Sequence, residues 1–166
     1  MNINLAEKNL NQPPDWHELI KKSVKQAARL FHEGNLSACQ LLVGQILRVD
    51  KDNDEALQIA GLLKLRTGDA EAAIPLLEDA RRICPDNPDH HNNLALAYSR
   101  IGRYEDACVC LRTAISMTSG RPVFWVNYAV QLRNKAAGRS VLPTDREDLL
   151  NEAEVALHKA IGPARN

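Results

Sequence analysis

Cys108-x-Cys110, with Cys84, His90 and His91 upstream, has the residue types that bind metal. Thiolates and imidazoles are good ligands for tetrahedral zinc, but they must converge on one point. Residues two apart on a helix point about 200° apart, so Cys108 and Cys110 cannot share an ion. Cys39 falls at a position that otherwise takes small residues, where free cysteine packs as a small hydrophobe. His90-His91 follows Pro88-Asp89 at a helix start. Adjacent helical residues face different ways, so this pair is expected to cap and to meet solvent rather than to act as a unit. No Ser/His/Asp or Cys/His constellation is legible for nucleophilic work. The recurrent glycines suit turns rather than a phosphate loop. No enzyme, metal or cofactor is expected.

The framework that positions these residues is written in the glycines. Gly34, Gly68 and Gly102 lie 34 residues apart, and Cys39, Ala73 and Ala107 keep the same register, as do Ile46, Ala80 and Ala114. A fixed period of this length marks a repeat architecture whose unit is a helix pair that buries its apolar face only by stacking on its neighbours. A hydrophobic fraction of 45% with only 4% aromatics calls for an aliphatic, alanine-rich core with close helix contacts. Net charge is zero, so no overall field attracts nucleic acid or an anionic membrane. No run approaches the roughly 18 apolar residues of a spanning helix, so no membrane insertion is expected. The four cysteines lack the pattern of a secreted disulfide scaffold, and the N-terminus lacks a signal-like apolar stretch. The expected setting is cytoplasmic.

Residues 1–14 are Asn-rich and end in Pro13-Pro14, which predicts a disordered lead-in. The repeat domain is expected over 15–166, in units of about 20–53, 54–87, 88–121 and 122–161. Asp15 and Glu18 suggest a capping box ahead of a helix from Trp16 to His32, and a second helix should run from Leu36 to Val49. The plan repeats without insertion through residue 121, and Pro122 then opens a helix to Ala136. An insertion of 12 residues precedes Ala153, which with Ala160 should supply the small packing positions of the last helix. Thr144 and Glu147 suggest another capping box, and Gly162-Pro163 closes that helix. The long last helix suits a cap on the open end of an all-α solenoid.

These residues resemble the tetratricopeptide repeat, whose 34-residue pattern runs W-x2-L-G-x2-Y, A-x3-F, then P. The second unit matches at Leu57, Ala60-Gly61, Gly68, Ala73, Leu77, Ala80 and Pro85. The third matches at Leu94-Ala95, Tyr98, Gly102, Tyr104, Ala107, Leu111 and Ala114, and the fourth at Trp125, Tyr128-Ala129, Ala153, Leu157 and Ala160. The resemblance covers about residues 20–161. It implies a right-handed superhelix of four helix pairs, with the first helices lining a concave groove that holds a peptide of a partner protein.

On that register the groove carries positions 2, 5, 6, 9, 12 and 13 of each unit. Position 6 brings Lys25, Ile59, Asn93 and Asn127, and asparagine there can bond the backbone of an extended ligand of any sequence. Position 13 brings His32, Arg66, Arg100 and Asn134, with Arg133 beside the last. Arginines along a rim recognise carboxylates bidentately, so an acidic or C-terminal segment is the natural ligand. The same arginines could merely offset helix dipoles. The expected binding residues are Arg66, Asn92, Asn93, Leu96, Arg100, Asn127, Val130 and Arg133. Leu62, Leu65 and Val126 add aliphatic surface. The two-carboxylate clamp of chaperone-binding relatives fails, because Gln58, Leu62, Val123 and Asn127 replace its key residues. A homo-oligomeric scaffold and a targeting module of a larger glycosyltransferase or sulfotransferase remain open alternatives.

Overall fold

A computed structural model describes residues 15–118, 121–138 and 141–162. The expected lead-in over residues 1–14 and the closing Pro163 lie outside them. The described residues form eight helices and no strand: α1 (Trp16–His32), α2 (Leu36–Val49), α3 (Asp54–Arg66), α4 (Ala70–Ile83), α5 (Pro88–Arg100), α6 (Tyr104–Ser116), α7 (Pro122–Ala136) and α8 (Pro143–Ile161). They are four helix pairs stacked as a right-handed superhelical solenoid, with the 19-residue α8 packed against α7.

The period acts through the turns. Gly34, Gly68 and Gly102 adopt φ of 78°, 85° and 77°, which side-chain-bearing residues resist. Each glycine lets the chain fold back so that the next amide bonds a carbonyl five residues earlier. Asn35 N–H donates to Leu30 O, Asp69 N–H to Lys64 O and Arg103 N–H to Tyr98 O, each at 2.9 Å. This double reversal satisfies the carbonyls at the end of the first helix and aims the second back along it. Asn35 and Asp69 then cap the second helices by accepting from the amides of Ala38 and Ala72. Asn53 and Asn87 do the same where one pair passes to the next.

Two expected capping boxes are corrected. Asp15 accepts from the amides of His17 and Glu18, but Glu18 reaches Lys22 instead of completing the box. Thr144 is no cap at all: Pro143 takes the first helical position, Leu142 becomes the cap, and Thr144 donates its hydroxyl to Asp145. Proline fixes the helical φ one residue early, which carries Thr144 inside the helix.

Packing follows the small residues. Ala27, Cys39, Ala73, Ala80, Ala107 and Ala114 are wholly buried, and Leu77 and Leu111 fill the space they leave. The core forms two clusters, one across α1 to α3 and one from α4 to α8 joined by Leu65 of α3. In α8 the buried stripe is Ala153 and Ala156, while the expected Ala160 is only half-buried. Ala160 sits in the last turn of the last described helix, where no further pair covers it.

Burial also sets the response to alkali. Desolvation, with a hydrogen bond to Glu78, pushes the Tyr98 phenol up to about 12. Desolvation pushes the Cys108 thiol up to about 11 and raises Cys39, Cys110 and, with its bond to Glu152, Tyr128. These groups hold their protons longer in the folded chain than in the unfolded one. Stability is therefore fully present below their ordinary values and falls as pH rises through the window up to the folded ones. Melting temperature should drop progressively from pH 9 towards 12. A flat profile over that range would contradict the packing of these five side chains.

Candidate interaction groove

The first helices of successive pairs meet along one face. α1 touches α3, and α3 touches α5. Side chains bridge the same boundaries: the Arg66 guanidinium lies 5.1 Å from the centre of the Phe31 ring. Arg121 and Asp89 form an ion pair at 2.9 Å across α5 and the start of α7. Asn127 donates its amide to Asn92 Oδ1 at 2.7 Å.

In the N-terminal half this face holds a depression of about 290 Å³ lined by Val24, Lys25, Ala28, Glu55, Gln58, Ile59, Asn87 and Asp89. All but Asn87 fall at positions 2, 5, 6 or 9 of their units, so this depression lies on the first-helix face counted from the sequence. Ile59 is only 7% exposed and forms part of the floor instead of a contact rung. Glu55, Asp89 and Arg121 were missed as groove charges, although positions 2 of the units carry the first two.

In the C-terminal half the face is aliphatic. Leu96 on α5 and Val126 and Val130 on α7 are each about 40–45% exposed. The Asn92–Asn127 bond fixes how α5 lies beside α7. Counted one helical turn along α5 and α7 from that bond, Leu96 and Val130 fall at one level, and one turn beyond that Arg100 falls level with Arg133 and Asn134. Arg100 and Arg133 are exposed, and Asn92, Asn93 and Asn127 are half-buried. Part of the Asn127 amide is already engaged by Asn92, because the stagger between pairs sets position 6 of one unit against position 5 of the previous one. Arg133 also shares a depression with Ala136, Ala137, Arg146 and Leu150 at the junction of α7 and α8.

The histidines correct another expectation. His90 is completely buried and His91 is 6% exposed, so neither is a solvated cap. His91 occupies the position that takes tryptophan in the repeat pattern, the same place as Trp125, and this was a usable signal of burial. Its Nε2 lies 3.0 Å from Pro85 O, which is the geometry of an N–H donating to a carbonyl. Cys108 and Cys110 are buried and pack into the core.

Residues 64–122 match the tetratricopeptide repeat family. That segment carries tetratricopeptide repeats. No curated protein matches its sequence. Among solved structures it is similar to an O-GlcNAc transferase of Thermobaculum terrenum, at 23% identity and a TM-score of 0.72 over 87% of this chain and 27% of that one. The chain thus spans about a quarter of that enzyme. It is also similar to MamA (19% identity, TM-score 0.70, 86% of this chain and 76% of that one). MamA from Desulfovibrio magneticus RS-1 gives 15% identity and a TM-score of 0.68 over 86% and 73%. At these identities the likeness is one of fold. No described helix of the repeat array is long and apolar enough to cross a membrane.

Proposed function

We propose that this tetratricopeptide array is a non-catalytic cytoplasmic scaffold that binds an extended segment of a partner protein along α3, α5 and α7. The observation that supports this most is the exposure of Leu96 on α5 and of Val126 and Val130 on α7, with Arg100 and Arg133 exposed further along the same two helices. Aliphatic side chains of the ligand lie on Leu96, Val126 and Val130. An acidic side chain or terminal carboxylate meets Arg100, with Arg133 near and Arg66 along the rim. Asn93, together with the free polar atoms of the Asn92–Asn127 pair, bonds the ligand backbone.

Peptides selected from a random displayed library test this reading. Arg100→Ala should weaken acidic peptides preferentially, and the preference should fade at high salt because exposed charges are screened. Asn93→Ala should weaken most selected peptides alike, by about 0.5–1.5 kcal/mol, since backbone groups carry no sequence information. Neither change should alter the melting curve. Equal affinity of both variants and the parent for every peptide would remove the groove from consideration. If no peptide is selected and sedimentation shows concentration-dependent assembly, the groove is instead filled by a second copy.

A further inference from the structure

Asp54, Cys84 and His90 come from three helices and meet at one point. Asp54 is the first residue of α3, Cys84 is the C-cap of α4 and His90 lies in the first turn of α5. One ligand atom from each lies within 4.8 Å of the others, the only such trio of metal-binding side chains among the described residues. We propose that these three residues form a zinc-class divalent metal site that clamps the junction of the second and third helix pairs.

The donor set selects the metal. Thiolate and imidazole favour zinc and its late transition-metal neighbours over magnesium or calcium, and a carboxylate completes a common three-ligand set. Bond lengths of about 2.0–2.3 Å would place tetrahedral donors roughly 3.4–3.6 Å apart. His90 Nε2 is 2.8 Å from Asp54 Oδ2, so those two part slightly on binding while the thiol, anywhere within 4.8 Å, needs only a rotamer-scale adjustment. A divalent ion with one thiolate and one carboxylate is electrically neutral, which suits a site whose imidazole is completely buried. Water takes the fourth position. Cys84 and Asp54 are half-buried, so the site has a path for entry.

The hydrogen bonds around His90 are a second, independent pointer. Asn87 Oδ1 accepts from the Asp89 amide at 3.0 Å, which turns its Nδ2 towards His90 Nε2 at 3.3 Å. Nε2 therefore faces a carboxylate oxygen and an amide N–H together, and one ring nitrogen cannot both donate to the first and accept from the second. His90 Nδ1 is buried with no partner. The metal would sit at Nε2, so the mismatched bonding at Nε2 marks the site, and the empty Nδ1 on the opposite edge of the ring does not. The ring is held in place by packing, with its bonding left unresolved.

The full reduced chain, stripped with a chelator, is titrated with zinc and with cobalt as a spectroscopic stand-in. The expected result is one equivalent bound, a thiolate-to-cobalt charge-transfer band, a higher melting temperature with metal, and protection of Cys84 from alkylation. Cys84→Ala should remove the band and the thermal shift, and Asp54→Asn should weaken binding by about tenfold or more, at least the loss that outer-shell changes produce. Cys108→Ala should leave the band intact. Both tested ligand positions are half-buried, so circular dichroism should show folded variants. Absence of stoichiometric binding by the parent chain, or an unchanged affinity and spectrum in Cys84→Ala, overturns the proposal.

Discussion

Leu77→Ala should destabilise the chain by about 2–5 kcal/mol, because the residue is completely buried and the helices around it cannot close the cavity. Its neighbour makes the test more discriminating. A Cβ added to Gly61 would lie 2.6 Å from Leu77 Cγ, so Gly61→Ala overpacks the α3–α4 crossing at a cost of about 1–3 kcal/mol. That cost is reduced by up to about 1 kcal/mol of gained helix propensity. In the double variant the new methyl group enters the space that leucine vacated. Chemical denaturation should therefore show less loss for the pair than the two single losses combined, with a coupling of about 0.5–3 kcal/mol. Additive losses would mean that Gly61 and Leu77 do not share this crossing.

Leu96→Asp should weaken a selected groove peptide by about 10–100-fold, or about 1.4–2.8 kcal/mol. The substitution removes apolar area that the ligand covers and places an unpaired carboxylate beneath it. Stability should change little, within about 0.5 kcal/mol, because Leu96 is already 41% exposed in the free chain. Leu96→Met should keep most of the affinity. Full binding by the aspartate variant would move the ligand away from α5, towards the convex surface or the insertion before Ala153.

The core was legible in the sequence because its rule is local and repeated. Small residues at Cys39, Ala73 and Ala107 mark the crossing within each pair, and glycines at Gly34, Gly68 and Gly102 mark each reversal. The rule weakened where the repetition did. After the insertion, α8 buries Ala153 and Ala156 rather than Ala153 and Ala160, since among the described residues no helix packs against the far side of its last turn. The expected cap at Thr144 failed for a comparable reason: Pro143 set the helix start by its own backbone geometry.

The groove was readable in its register and less so in its contacts. Lys25, Gln58 and Ile59 could be placed on the first helices by counting, and they line one depression. That Asn127 would bond Asn92, that Arg121 would pair with Asp89, and that Arg66 would cover Phe31 could not be counted out. Asn127–Asn92 and Arg66–Phe31 join positions that are not equivalent in neighbouring units, and Arg121–Asp89 joins the two ends of one unit.

By itself, then, the sequence determined the repeat length, the eight helices and the small-residue crossings. These follow from spacing within a unit, where the 3.6-residue period and the glycine turns leave little freedom. Only the tertiary structure decided what meets across units. The superhelical stagger between stacked pairs brought Asp54, Cys84 and His90 together and buried an imidazole that its own sequence neighbours would have left in solvent.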